Sequence, residues 1–486
     1  MKNYTGLWAW LLAVALGVFT VNSASAKTQY LQAQINNKWV YLDADDFEYQ
    51  VSGEFEGEYP IALFQQASRK QMLTWYKAMQ NQTSPTQLDT FEETFSFNFY
   101  QALFFNPEID DLHFNGPTFS IDAFEDEIRS RLDEVAVGYS YALNLSKQYA
   151  RGDGVGAARL NQDGYVSQSV TKRMNIASIS KTLTAVAILQ LLEKNGLSIH
   201  DPIEPWLPDD WVKGYGFFQG QGKLQPEVVL SFYDLLTHRS GIQQSIAAYS
   251  GINQEYKDAV SNKWDGLKTI VEFGVLPAYY QEQLYKNANF ALFRIMIPKL
   301  WKASGDPAIA IGEINETTAA LYYRAYLDSY VLSPSGVHYA DCADHSANPT
   351  LYYDGAKTWV NGAEGGDWIL SCGSGGWYLS AYELAALMAH IRYNDEILSP
   401  SMRQLMDSNE LGWSYSKSVN GEHGKYLAHG GTLFFDDEEA DQAREMHGCV
   451  MKFPIQVEAS LLINSSINGK QPCSILKNAF DAAWVD

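Results

Sequence analysis

Cysteine is scarce and confined: Cys342, Cys372, Cys449 and Cys473 all fall in the last third of a 486-residue chain. No Cys-x-x-Cys occurs, which argues against a thioredoxin-like redox site or a zinc ribbon. His-Glu-x-x-His is missing as well, and the nine histidines show no comparable ligand spacing, so a catalytic metal is not expected; no cofactor is expected either. Positive charge is in deficit, with 35 Lys and Arg against 57 Asp and Glu and a net charge of -22. Such a surface repels phosphate backbones and anionic lipids, so nucleic-acid binding is disfavoured and solubility is the simplest role for the acidity. After residue 26 no apolar run is long enough to span a bilayer, so no membrane insertion of the mature chain is expected. "GYGFFQGQGK", residues 214 to 223, is not a phosphate loop: a frame ending at Lys223 needs glycine at Phe217 and Ser or Thr at Leu224, and the stretch reads as a flexible loop. No internal repeat or low-complexity tract appears.

What is present starts with residues 1 to 26. Lys2, an apolar run from Leu7 to Val21 and a closing Ala24-Ser25-Ala26 have the charge, length and small-residue ending of a secretory signal peptide. Export to a periplasm or the cell exterior is therefore expected, and it makes disulfides permissible. Four cysteines allow three pairings; joining sequence neighbours, Cys342 with Cys372 and Cys449 with Cys473, is the expected one. Residues 27 to 118 read as an accessory domain or extension, with a strand at "KWVYLDA", an amphipathic helix at "ALFQQASRKQMLTWYKAM" and a strand at "FSFNFY".

The main domain is expected over residues 119 to 486. "IDAFEDEIRSRLDEV" puts Phe124, Ile128 and Leu132 on one helical face, with acidic residues in the first turn where the helix dipole favours them. Strand-like runs follow at 136 to 145 and 148 to 160, with a turn at Asp163-Gly164. "NIASISKTLTAVAILQLLEKNG" reads as a buried helix stopped at Asn195-Gly196. The chain closes with a strand in "QVEASLLINSS" and a helix in "SILKNAFDAAW". Terminal helices and strands around a long helical middle predict an α/β (α+β) fold with a helical insert.

Ser-x-x-Lys occurs four times: Ser169/Lys172, Ser178/Lys181, Ser414/Lys417 and Ser474/Lys477. Only Ser178 stands at the head of a long apolar helix, where residues three apart share a face and the N-terminal dipole favours developing negative charge. Elsewhere a solvated lysine is the better reading. A buried ammonium is costly, so Lys181 either reaches solvent or acts on the serine one turn away, and a serine hydroxyl needs a proton acceptor before it can attack a carbonyl.

"SISK", followed by "LLTHRSGI" at 235 to 242, resembles the serine β-lactamase and penicillin-binding superfamily, most of all its class C-like branch. That branch carries Tyr-x-Asn far downstream of the serine. Among 30 tyrosines this chain has one such triplet, Tyr285-Lys286-Asn287. The family also has a Lys- or His-led triplet ending in glycine, matched by His429-Gly430-Gly431 in "YLAHGGTLFF". The stretches 372 to 391 and 397 to 406 are similar to the family's glycine-rich segment and the helix after it.

The resemblance implies a β-lactamase/transpeptidase-like fold, an antiparallel sheet flanked by terminal helices plus a helical subdomain. It implies Ser178 as nucleophile, Lys181 and Tyr285 managing its proton, Asn287 on the substrate amide, and His429, Gly430, Gly431 and Thr432 along the acyl pocket. The backbone N–H groups of Ser178 and Thr432 would hold the oxyanion. His238 is tempting as a triad histidine, but its motif is a structural turn in related sequences, which implies a packing role. Many family members have lysine at the position of His429 and Ser or Thr at that of Gly430. An imidazole and a missing side chain weaken the expected grip on a substrate carboxylate and favour esterase or D-amino-acid peptidase-like activity. The acidic run "FFDDEEADQAREM" reads as a solvated hairpin tip. The expected partner is a small molecule or peptide with an ester, amide or lactam carbonyl, and oligomeric state is not legible. A β-lactamase or D-alanyl-D-alanine carboxypeptidase is the nearer alternative. A non-catalytic peptidoglycan- or partner-binding module is the distant one, and the presence together of Ser178, Lys181, Tyr285 and Asn287 weighs against it.

Overall fold

The computed structural model describes residues 30–35, 38–43, 112–113, 118–145, 148–211, 228–249, 254, 261–307, 311–356, 360–414, 416–435 and 443–485. The expected signal segment, the helix at 62–79, the strand at 95–100 and the loop at 214–223 lie outside them, as does most of the acidic run after β-strand residue Phe434. The chain divides into two compact units, one comprising Met1–Ile109, Gln148–Ala150 and Gly336–His338, the other the remainder. In the first, β1 (Tyr30–Ile35) and β2 (Lys38–Asp43) form an antiparallel hairpin, with β2 falling on the strand read at "KWVYLDA".

The second unit opens with β3 (Leu112–His113), β4 (Thr118–Phe119) and helix α1 (Ile121–Leu132). Ser120 caps α1, its hydroxyl accepting the Ala123 N–H at 3.2 Å, and Ile121, Phe124, Ile128 and Leu132 are buried, as their spacing requires. Burying each such side chain contributes about 1.5–3 kcal/mol. Then come β5 (Gly138–Leu145), β6 (Gln148–Arg159), β7 (Val166–Ser167), β8 (Met174–Asn175) and α2 (Ser180–Asn195). Gly196 ends α2 with φ 65°, and the Leu197 N–H reaches back to the Leu192 carbonyl at 2.8 Å. This is a glycine-dependent helix stop.

The helical middle follows: α3 (Phe232–Leu236), α4 (Ile242–Ala248), α5 (Trp264–Phe273), α6 (Asn287–Ala303) and α7 (Glu316–Leu327). After β9 (Tyr378–Leu379), α8 (Ala381–Tyr393) and α9 (Pro400–Ser408), the chain returns to the sheet through β10 (Val419–Gly421), β11 (Gly424–Phe434), β12 (Glu445–Lys452) and β13 (Val457–Ile463). It closes with α10 (Pro472–Ala482) and β14 (Trp484–Val485).

The main sheet has seven strands in the order β10-β11-β12-β13-β5-β6-β7, so the last strands pair beside the first. Pairs β10/β11, β11/β12, β12/β13, β13/β5 and β6/β7 are antiparallel. All of β5 is buried, because both sheet faces are covered. Tyr141 faces α1, its hydroxyl bonding Glu125 at 2.8 Å, and α10 packs against α1 and β12. On the opposite face Asn144 and Ser460 donate to the Ala385 and Ala381 carbonyls of α8, each at 2.6 Å. Alternation along the strands thus builds three layers. In the helical layer α2 packs on α6, which packs on α7. α2 is buried continuously from Ser180 to Leu192, which is why its sequence reads as apolar all round. Disulfides join Cys342 to Cys372 and Cys449 to Cys473. No helix among the described residues is long and apolar enough to cross a membrane.

Candidate active site

Ser178 sits in a single 3-10 turn, Ala177–Ile179, that runs straight into α2. The turn is held tightly: the Ile176 N–H donates to the Trp377 carbonyl at 2.8 Å and the Ala177 N–H to Asn175 Oδ1 at 2.8 Å. Ala177 takes φ 47°, a left-handed conformation that a non-glycine residue adopts at a cost of order 1–3 kcal/mol. The fold maintains that strain one residue before the serine.

Lys181, the second residue of α2 and one turn beyond Ser178, is fully buried. Its Nζ lies 3.0 Å from Ser178 Oγ and 2.8 Å from Asn287 Oδ1, and it also donates to the Ser374 carbonyl. Burial pushes its pKa down from 10.5 to about 7. As an ammonium it offers three N–H donors to three acceptors. As a neutral amine its two N–H groups can keep Asn287 Oδ1 and the Ser374 carbonyl, leaving the lone pair for the Ser178 hydroxyl proton. The same geometry therefore serves both protonation states.

Asn287 is the first residue of α6, and Tyr285 is two residues before it. The Tyr285 ring centre lies 5.0 Å from Lys181 Nζ, 4.3 Å from the His238 ring and 6.4 Å from the His429 ring. His238 has φ 58° and accepts the Lys286 N–H at Nδ1 (3.3 Å), with Asn289 Nδ2 at 3.0 Å from the same nitrogen. It packs under Tyr285 and fastens the start of α6. Burial, then the nearby Lys181 and His429, hold it well below an ordinary histidine pKa.

β11 forms the opposite wall. His429 is buried and donates from Nδ1 to the Gly412 carbonyl at 2.8 Å. Burial first, and the Lys181 charge second, push its pKa down to about 3, with the Gly412 bond opposing them. It is neutral near pH 7, and its buried Nε2 has no hydrogen-bond partner among the described residues, leaving a lone pair available. A Cβ on Gly431 would stand 2.5 Å from the Ile176 carbonyl oxygen, so only glycine lets the strand come this close to the serine turn. Thr432 is exposed at the mouth, its Oγ1 3.4 Å from His447 Nδ1.

Ser178, Tyr285, His429, Gly430, Gly431 and Thr432 line one cleft of about 280 Å³. The structure thus brings the expected site residues together, with Lys181 and Asn287 just behind Ser178. It adds groups that sequence did not single out. The Ser374 carbonyl and the Gly412 carbonyl are backbone atoms, for which no side-chain signal exists. Ser414, Ser416, Lys417 and Gln471 also line the cleft, although the Ser414/Lys417 pair reads in sequence as a solvated lysine. The other two Ser-x-x-Lys lysines do lie elsewhere: Lys172 donates to the Asn348 carbonyl and Lys477 pairs with Asp481, both at 2.5 Å. Among the described residues no cluster of His, Cys, Asp and Glu is arranged to hold a metal.

A serine at a helix head with a buried lysine on its hydroxyl, set between an antiparallel sheet and a helical layer, defines the serine hydrolases of β-lactamase/transpeptidase fold. The chain belongs to the β-lactamase family, whose model matches residues 154–432, more than half of the sequence, from strand β6 to Thr432. PbpX of Bacillus subtilis (strain 168), which carries a penicillin-binding-protein name, is 24% identical over 216 residues, 44% of each chain. The match thus spans less than half the length of this curated relative. The fold is similar to that of the octameric penicillin-binding protein homologue from Pyrococcus abyssi (TM-score 0.51, 18% identity, 74% of this chain and 75% of that one). It is also similar to EstCE1, a hydrolase with promiscuous acyltransferase activity (TM-score 0.53, 13% identity, 74% and 97%).

Proposed function

We propose that this chain is an exported serine hydrolase that cleaves an ester or amide bond through an acyl-enzyme, with esterase or D-amino-acid peptidase-like specificity. The observation that carries the reading is Lys181: a fully buried amine, 3.0 Å from Ser178 Oγ, with a pKa lowered to about 7. Ser178 Oγ attacks the carbonyl carbon while its proton passes to the neutral Lys181 amine, with Tyr285 beside it to relay that proton to the leaving group. The N–H groups of Ser178 and Thr432 receive the oxyanion, a role supported by the close approach of Gly431 to the serine turn. Asn287 orients the substrate amide. Water then attacks the acyl-serine, and its proton returns through Tyr285 and Lys181. His429, neutral and presenting an acceptor nitrogen, suits a substrate N–H or O–H at that wall. Export through residues 1 to 26, an accessory role for residues 27 to 118 and the class C-like branch belong to the same reading.

The test is labelling of the purified chain with a fluorophosphonate followed by peptide mapping. Modification at Ser178, lost in Ser178→Ala together with at least about 10³-fold of ester turnover, supports the assignment. A folded protein that takes no label is the result expected of a binding module.

A further inference from the structure

One wall of the cleft carries a cation that the reaction as described does not use. Gly430 leaves a space in which a Cβ would meet Lys417 Cγ and Cε, both at 3.6 Å, and Cys473 Sγ at 3.4 Å. The lysine stem lies in contact with the position left empty by the missing side chain. Its backbone is fixed there by a turn at Ser416 and Lys417, where the Lys417 and Ser418 N–H groups donate to the Ser414 carbonyl at 3.0 and 2.8 Å. The turn is tied to β11 by the Ser414 N–H on the Ala428 carbonyl at 2.7 Å, one residue from His429. Lys417 Nζ donates to Gln471 Oε1 at 3.0 Å, a neutral acceptor, and among the described residues no further hydrogen bond takes up its other two N–H donors.

The neighbouring lysines are committed differently. Lys425 pairs with Glu410, Lys452 with Asp407 and Lys477 with Asp481. Among the described residues no carboxylate pairs with Lys417. In a chain of net charge -22, a lysine in the mouth of the serine cleft with no counter-ion marks the place where a negative group is attracted rather than repelled.

We infer that Lys417, assisted by the Ser414 and Ser416 hydroxyls beside it, is the receptor for a carboxylate on the substrate, so that the cleft selects esters or amides bearing an anionic group near the scissile carbonyl. The cation contributed by the strand itself in many similar sequences is here supplied from an adjoining turn. This inference rests on Ser178 being the nucleophile of the cleft.

Boronic acids, whose boron is captured by a reactive serine oxygen, test both steps without turnover. Calorimetric affinities of phenylboronic acid and its meta- and para-carboxy derivatives are measured on the full chain, on Lys417→Met and on Lys417→Arg. A carboxylated probe is expected to bind the wild type in preference to phenylboronic acid. Lys417→Met should reduce that preference about tenfold, the size expected of one charge pair, and Lys417→Arg should retain it. A preference that is absent, or unchanged in Lys417→Met, overturns the carboxylate site while leaving the serine assignment standing. Failure of every boronate to bind a folded wild type overturns both.

Discussion

Lys181 Nζ and Ser178 Oγ are 3.0 Å apart, and the lysine is completely enclosed while the serine opens onto the cleft. Among the described residues Lys181 has no carboxylate partner; its other hydrogen bonds go to the Asn287 and Ser374 oxygens. A buried ammonium without a counter-ion loses its hydration and recovers only hydrogen bonds, which is why its proton is weakly held. The instability of the charged form makes the amine a usable base near neutral pH.

The activity should therefore follow the neutral amine. With a folded pKa of about 7, the base form grows as pH rises through 7, so kcat/KM for a neutral ester is expected to climb across that value and level off above it. Lys181→Arg keeps a permanent cation and should lose on the order of 10²–10⁴-fold, with no recovery at high pH. A pH-independent rate between 6 and 9 in the wild type would remove Lys181 from the role of base.

The same shift has a consequence for stability. In the unfolded chain Lys181 reverts to its ordinary value of 10.5, so between about 7 and 10.5 the unfolded state holds the additional proton and folding becomes more favourable as pH rises. Below 7 both states are protonated and the full cost of the buried charge remains. Lys181→Met lacks this component. Its stability relative to wild type should fall by up to about 1.4 kcal/mol per pH unit across the window, measured by denaturant melts at several pH values. Parallel pH curves for the two proteins would contradict the depressed pKa.

How much of this is legible in sequence depends on which atoms do the work. Ser178, Lys181, Tyr285, Asn287 and His429 carry side chains in local patterns that resemble the family's, and that resemblance lets their convergence be anticipated before any coordinates are known. Ser374 and Gly412 contribute backbone carbonyls, which every residue possesses, and no pattern marks them. Lys417 is visible as a lysine, but that its stem lies against Gly430 is a relation between two separate segments, which no local pattern marks. Among elements, α1 and β6 are readable because period and turn residues agree. The short α3 shows only its Ser231–Asp234 capping box, since five residues are too few for a helical period.

His429 should not titrate in the physiological range. Its pKa of about 3 and its Nδ1–H bond to the Gly412 carbonyl fix the neutral ring with a free Nε2. The imidazole resonance that disappears in His429→Gln is expected to stay at its neutral position from pH 8 down to 5. A midpoint near 6.5 would mean that water reaches the ring and that this wall carries charge.

The disulfide Cys449–Cys473 ties β12 to the start of α10, beside Gly430 and next to Gln471, the partner of Lys417. Closing a span of 24 residues should contribute about 3 kcal/mol, so the Cys449→Ala, Cys473→Ala double variant is expected to melt at lower denaturant by that amount. An unchanged midpoint would mean that packing of α10 alone holds this wall.

Gly431 tests how closely the strand must approach the serine. A methyl there would lie 2.5 Å from the Ile176 carbonyl oxygen and 3.1 Å from Ala177 Cβ, and the first of these is backbone that cannot rotate away. The turn has little room to yield, because Ala177 is already held at φ 47° by bonds on both sides. Gly431→Ala must therefore displace either β11 or the turn, and with it the spacing between the Ser178 and Thr432 N–H groups. A displacement near 1 Å costs about 10²-fold, which is the loss expected in kcat. At Gly430 a methyl meets only ordinary van der Waals neighbours, so Gly430→Ala should cost far less. Equal losses in the two variants, or none in Gly431→Ala, would show that the serine does not depend on this contact.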